Sequence, residues 1–384
     1  MTFVRSLQLS NFRCYQQVRL DDMGPGAVVL TGPNGAGKTN VLEAVSMLSP
    51  GRGLRGAKIS EMQKRDGAQA WALSAEVETT AYGPIRIGTG LDPQSQQERR
   101  LVRINGEPVK AQTTLAEYLS CVWLTPQMDR LFLEGSSVRR KFLDRLIFAF
   151  DPGHAGRVTR YENAMSQRSK LLRDHDRPDP VWLEGLEAQM AETGVAISSS
   201  RREFMTILQT ACDHGAADYD ALFPRALLAL RGTIEELLVQ APALEVEEMF
   251  RYQLKESRDV DARTGGAATG PHKGDLLVTY ASKNMPADHC STGEQKALLI
   301  GITIAHSRLM AAERGSPPVL LLDEVAAHLD EQRRAALYDI LLSLGGQVWM
   351  TGTDHHLFTA LGSKACYYDV KDSQLARQDV SCAA

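Results

Sequence analysis

Hydrophobic and polar positions alternate over the first hundred residues and then change period. "FVRSLQLSNF" (3–12) and "YQQVRL" (15–20) keep the two-residue rhythm of half-buried strands. "AVVL" (27–30) is a short apolar run that leads into glycines, and residues 39–48 switch to helical spacing. "AWALSAEVET", "GPIRIGTGL" and "RRLVRINGEPV" alternate again and predict an antiparallel set. Asn105-Gly106 is its strongest hairpin-turn signal. "SCVWLTP" (120–126) reads as a buried strand ended by Pro126.

From 136 to about 256 the period is helical. "SSVRRKFLDRLIFAF" opens on a serine N-cap candidate. Longer amphipathic helices are predicted over 157–173 and 182–212, separated by "DHDRPDP", which cannot continue a helix. At about 1.5 Å per residue these two are too short for an extended arm, so a compact lobe is predicted. "DARTGGAATGPHKG" reads as a loop. After it come a strand ("DLLVTY"), a helix ("TGEQKALLIGITIAHSRLMAAE"), a buried strand ("PPVLLLDEV"), a helix ("DEQRRAALYDILLSL") and a strand ("QVWMTGTD").

The pattern predicts an α/β protein: a mixed sheet and an antiparallel β subdomain, with a compact α-helical lobe inserted. The expected division is 1–125 for the first half of the α/β body, 126–260 for the lobe and 261–384 for the second half. The chain is 384 residues long, 43% hydrophobic and 23% charged, with a formal net charge of -4. That excludes a wholly basic nucleic-acid coat and leaves a local basic patch open. Six cysteines are scattered with no CxxC pair, which argues against zinc and against a disulfide framework. The first residues lack a signal-peptide pattern, and no window reaches 18 apolar residues. A cytoplasmic protein with no membrane partner is expected.

The glycines carry the chemistry. Gly32-Pro33-Asn34-Gly35-Ala36-Gly37-Lys38-Thr39 fits G-x-x-x-x-G-K-[ST], with a buried strand before it and a helix after it. Glycines let backbone N–H groups curl around phosphates, and the helix N-terminus adds partial positive charge. Lys38 suits the β- and γ-phosphates of ATP, and Thr39 suits Mg²⁺. Asn40 opens the helix. A carboxylate for the metal is supplied by Asp323, at the carboxyl end of "VLLL". Glu324 beside it is the candidate for polarising the attacking water, which points to hydrolysis. Ser291, Gly293 and Gln295 open a second helix whose N-terminus suits an anion.

S-x-G-x-Q some thirty residues before an apolar strand ending Asp-Glu resembles the signature of ABC-type ATPases. In that superfamily two heads sandwich two ATP molecules. By that resemblance Ser291 and Gly293 would contact the γ-phosphate held by a second copy. Gln127, just after a strand, resembles the Q-loop residue that touches metal and water, and "AAHLD" (326–330) resembles the D-loop. "LQLSNFRCY", "GPNGAGKTNVLEAV", "GSSVRRKFLDR", "TGPHKGDL", "STGEQKALL" and "LLLDEVAAHLD" follow in an order and spacing similar to the RecF family, SMC-like ABC ATPases, over essentially the whole chain. The family usually has Glu where Gln127 stands, Arg-Asp where Lys273-Gly274 stand and Gln where Glu294 stands. Lys273 keeps a cation and Gly274 loses a carboxylate. At the switch position the chain reads Thr351-Gly352-Thr353-Asp354, and threonine is used there in RecF-like proteins too. His355 and His356 read as a solvated cap.

The resemblance implies an ATPase that forms a homodimer when ATP is bound, on double-stranded DNA near single-strand gaps. It also implies RecR, RecO and RecA as partners. Candidate phosphate contacts on DNA are Arg52 and Arg55 after the first nucleotide helix, and Arg139, Arg140 and Lys141 on the helix that opens the lobe. Arg157, Arg160, Arg168, Lys170 and Arg173 follow. Each cluster reads equally as a solvated face, and Arg139 and Arg140 have a rival in a salt bridge to "ALEVEEM". A nucleotide-binding subunit of an ABC transporter, or another SMC-like ATPase, is the alternative. The roughly 160 residues between Gln127 and Ser291 and the "SNFRCY" start argue against the transporter.

Overall fold

A computed structural model of the chain describes residues 1–65, 70–92, 99–174, 179–219 and 223–378. Contacts divide the chain into two compact units, Met1–Met128 with His306–Ala384, and Asp129–Ala305.

In the first unit, strands β1 (Phe3–Phe12) and β2 (Tyr15–Leu20) form a hairpin, and β3 (Ala27–Thr31) leads to helix α1 (Lys38–Ser46). The predicted antiparallel set is β4 (Ala72–Thr79), β5 (Gly83–Leu91), β6 (Arg100–Ile104) and β7 (Glu107–Pro108). The sheet order is β2-β1-β4-β5-β6-β7. Asn105 (φ 52°) and Gly106 (φ 91°) make the β6–β7 turn with two positive φ values, as the Asn-Gly pair requires. One face of this sheet packs on α1 through Leu7, Leu9, Leu73, Ala75 and Ile87, all buried. Strand β8 (Cys121–Leu124) follows.

The second unit holds α2 (Ser136–Phe148), α3 (Gly153–Asp174) and α4 (Pro180–Tyr219). Helix α4 has 40 residues, longer than its periodicity predicted, and it packs along α3 and α6 within the unit rather than projecting from it. The Pro-rich separator before α4 lies mostly outside the described residues. The apolar run Ala226–Arg231 is strand β9, where helical spacing had been expected. Helices α5 (Thr233–Gln240), α6 (Ala243–Glu256) and α7 (Arg258–Thr264) come next, and α7 occupies part of the predicted loop. Strand β10 (Asp275–Tyr280) pairs antiparallel with β9 and with β11 (Met285–Pro286). That pairing ties residues 261–305 to the helical unit, so contacts divide the chain at 305/306 rather than near 260. The core surrounds Tyr161, Met190, Ile234, Val246 and Phe250. It also holds a buried guanidinium. Arg168 meets Glu187 at 3.0 Å, Asp261 at 2.8 Å and the Leu254 carbonyl at 2.6 Å. Arg168 is therefore internal and not a DNA contact. Helix α8 (Thr292–Arg314) begins in this unit and ends in the first.

The first unit resumes with β12 (Val319–Leu322), α9 (Glu331–Ser343), β13 (Val348–Gly352), β14 (Ala365–Lys371) and β15 (Gln374–Gln378). Its second sheet has the order β15-β14-β3-β13-β12-β8 and is parallel except for β14–β15. Every residue of β3, β12 and β13 is buried, as expected for strands covered on both faces. β8, read as a buried strand, is instead the sheet's edge. Gln347, fully buried, joins distant segments. Its amide accepts from Val4 N–H and Trp349 Nε1 and donates to the Val4 and Gly24 carbonyls.

Candidate nucleotide site

β3 delivers the chain to the glycine loop at the carboxyl end of the parallel strands, where α/β sheets bind ligands. Gly32 has φ +144°, and a Cβ there would lie 2.1 Å from the Val370 carbonyl oxygen. Only glycine lets the chain leave the sheet at that point. Gly37 has φ +116°, and a Cβ there would lie 2.5 Å from the Tyr15 hydroxyl and 2.9 Å from Cys14 Sγ. The "FRCY" stretch is therefore the packing surface of the loop. Gly37 is the N-cap of α1, no side chain caps this end, and its first turn carries no acid.

Lys38 is buried, and its ammonium donates to the carbonyls of Gly32 (2.7 Å) and Pro33 (3.0 Å). Burial lowers its pKa, against the opposing pull of the Glu324 and Asp323 charges. The parallel register β3–β13–β12 carries the end of β12 to the same rim. Asp323, 5% exposed, accepts from the Thr39 hydroxyl, 2.9 Å to Oδ1 and 3.0 Å to Oδ2. Oδ1 also accepts from the Thr351 hydroxyl at 2.7 Å. Glu324 follows in the left-handed region (φ 54°, ψ 22°), and its backbone N–H donates to Thr351 Oγ1 at 2.9 Å. Lys38, Thr39, Asp323 and Glu324 thus come together as the sequence predicted, and Thr351, from the stretch matched to the switch position, joins them through Asp323 and the Glu324 backbone. A hydroxyl and a carboxylate side by side are hard oxygen donors of the kind Mg²⁺ takes beside phosphates.

Gln127 lies in the 3₁₀ turn Pro126–Arg130 after β8, exposed, with no hydrogen bond to Thr39 or Asp323. Behind α1, the fully buried Glu43 carboxylate takes Arg13 (2.6 and 2.8 Å) and Arg55 (2.8 Å), and Arg55 also donates to Asn40 Oδ1 at 2.8 Å. Arg55 therefore braces the nucleotide helix, while Arg52 is exposed.

The second anion candidate lies in the other unit. Ser291 precedes α8, and its N–H and hydroxyl both donate to Glu294 Oε2 at 2.8 Å. Lys283 grips the other oxygen of Glu294. That ion pair, with the two Ser291 hydrogen bonds, holds the Glu294 carboxyl down at about 2. A side chain on Gly293 would meet nothing within 4 Å. Gln295 is 3% exposed and its amide donates to the Cys290 carbonyl at 2.9 Å, so it fastens the turn from inside.

Of the basic candidates, Arg139 grips Asp275 with two hydrogen bonds of 2.8 Å. Arg140 donates to the Gly274 carbonyl at 2.7 Å. Neither pairs with "ALEVEEM". Asp275 and its neighbour bind them because α2 packs on β10. Lys141 on the same helix is exposed. His355 and His356 stand in a 3₁₀ segment capped by Asp354. Among the described residues no helix is long and apolar enough to cross a membrane.

Comparison with known proteins agrees with this geometry. The family model of the RecF/RecN/SMC N terminal domain matches residues 3–372. A protein of Agrobacterium fabrum named DNA replication and repair protein RecF is 48% identical over 365 residues, 95% of this chain and 96% of that one. A Mesorhizobium japonicum protein of the same name is 47% identical over 369 residues, 96% of each. The solved structure of the recombination mediator protein RecF-ATPrS in the RecFOR pathway superposes with a TM-score of 0.84 at 22% identity, covering 98% of both chains. An Smc head domain from Pyrococcus furiosus reaches 0.54 at 14% identity, covering 99% of this chain and 97% of that one.

The fold and the phosphate loop with its acid pair define an ABC-type ATPase head of the SMC group. Identity near one half over almost the full length of each partner is far above what a shared fold alone needs. The chain belongs to the RecF family of DNA replication and repair ATPases.

Proposed function

We propose that this chain is a DNA-dependent ATPase in which two copies close over two ATP molecules on duplex DNA near single-strand gaps, and that hydrolysis reopens them. The glycine loop from Gly32 to Thr39 binds the phosphates of one ATP, with Lys38 leaving its own loop carbonyls for the β- and γ-phosphates. Thr39 and Asp323 hold Mg²⁺, with Gln127 beside them. The ion offsets charge on the β- and γ-phosphates. Glu324 orients and deprotonates the attacking water. Ser291 and Gly293 of the second copy reach the γ-phosphate, so a single copy is expected to turn over slowly. Gln295 supports that turn from within. The exposed Arg52 and Lys141 are better placed for DNA phosphates than Arg139 and Arg140, which are engaged inside the fold, or Arg55, which Glu43 holds. By likeness to proteins described in the RecFOR pathway, RecO and RecR are the expected partners and RecA the protein loaded.

One observation carries the reading. Thr39 and Asp323, 284 residues apart in the chain, share hydrogen bonds of 2.9 and 3.0 Å. The test is Glu324→Gln with ATP and duplex DNA. It should lower hydrolysis by roughly 100-fold or more, the range of a lost general base, and accumulate as an ATP-bound dimer. A variant that stays monomeric at saturating ATP, or that hydrolyses normally, refutes the scheme.

A further inference from the structure

Thr351 lies at the end of β13, 1% exposed, one register step beyond the pair Leu322↔Met350. Its hydroxyl has one proton, and a carboxylate can only accept. The 2.7 Å bond to Asp323 Oδ1 therefore uses the Thr351 proton, and the 2.9 Å bond from Glu324 N–H uses an oxygen lone pair. A single buried hydroxyl thus contacts both neighbouring acids with fixed polarity. Neither a valine nor a backbone group could serve both at once, and the hydroxyl has no proton left for a phosphate.

Each bond fixes something the chemistry needs. Asp323 Oδ1 is also an acceptor for Thr39, so the Thr351 bond orients the carboxylate that faces Thr39. Glu324 is held at φ 54°, a left-handed backbone that a residue with a Cβ adopts at a cost. Its N–H bond to Thr351 secures that conformation, which sets the direction in which the Glu324 side chain leaves the strand end.

We infer that Thr351 is a positioning residue for ATP hydrolysis, setting the orientation of Asp323 and the backbone of Glu324 through one shared hydroxyl. The inference rests on the proposed roles of those two acids. It assigns Thr351 no contact with nucleotide.

Thr351→Val, Thr351→Ser and Glu324→Gln are compared in the full chain with Mg-ATP and duplex DNA. The readouts are single-turnover hydrolysis, ATP affinity by binding, and the Mg²⁺ concentration for half-maximal rate. Losing a hydrogen bond to a charged group costs enough to lower the rate of T351V roughly 10- to 100-fold. Its ATP affinity should stay within about threefold, because the glycine loop is untouched, and its Mg²⁺ requirement should rise. T351S, which restores the hydroxyl, should recover most of the rate. Should T351V fail to fold, Thr351→Ala takes its place beside T351S. The inference is overturned if the valine variant hydrolyses ATP at the normal rate. It is equally overturned if serine is no better than valine, which would make Thr351 a packing residue only. An inert E324Q beside a normal T351V removes the Thr351 role alone, whereas a normal E324Q removes the acid-pair reading with it.

Discussion

Two helix N-termini, both proposed to meet phosphate, are built differently. α1 begins at Gly37, with no side chain over its end and no acid in its first turn. α8 begins after Ser291, and Glu294 closes that end through both the N–H and the hydroxyl of the serine, with Lys283 fastened to the carboxylate. A phosphate arriving at α1 meets no capping side chain and no acid of the helix's own first turn. One arriving at α8 must displace a carboxylate already bonded there. On the proposed function, the difference suits the first end to tight binding and the second to an engagement that a small change in charge can tip.

The largest expected effect comes from spoiling the bare end. Gly37→Ala introduces a Cβ at φ +116° against Tyr15 and Cys14, so ATP affinity should fall by roughly 100-fold or more. Calorimetric titration with ATP measures it, and unchanged affinity would mean that the loop tolerates a side chain where α1 starts. Next is Glu294→Gln, which keeps the shape and removes the charge. ATP-dependent dimerisation, followed by light scattering, should need roughly tenfold less ATP, about the 1.4 kcal/mol of one partly exposed charge interaction. The Glu294 carboxyl sits near 2, below its ordinary value, so it stays ionised as pH falls until that value is approached. The gap between E294Q and the native chain should therefore be flat from pH 5 to pH 8. A gap that closes in that window would assign it to another group. The smallest effect is expected from Lys283→Ala. It frees the outer oxygen of Glu294 and should change the ATP requirement by no more than about threefold, as exposed ion pairs do.

The glycine loop and the acid pair were legible because their residue types admit few other uses at that spacing. Partners set by register were not. Thr351 falls in the stretch that resembles the switch, but its bond to Asp323 exists only because β12 lies beside β13. "ALLALR" carries apolar residues in a helical neighbourhood, and its pairing with β10, some 50 residues later, is what makes it a strand. Arg139 and Arg140 read as candidate DNA-phosphate contacts, with the acids of "ALEVEEM" as a rival partner. Packing instead gave them one buried aspartate and one carbonyl. "STGE" spells a capping box, in which Glu294 occupies the helix end that Ser291, Gly293 and Gln295 suggest for an anion.

The buried amide of Gln347 has a consequence for how the protein is made. It joins Val4 and Gly24 to the start of β13, and β3 finds both of its neighbouring strands only in β13 and β14. During translation the phosphate loop leaves the ribosome more than 300 residues before its sheet can close. For that interval "AVVLT" is an unpaired strand, apolar in all but its last residue, the kind of segment that chaperones shield and that aggregates when they do not. A chain cut short before β13 would leave it permanently open.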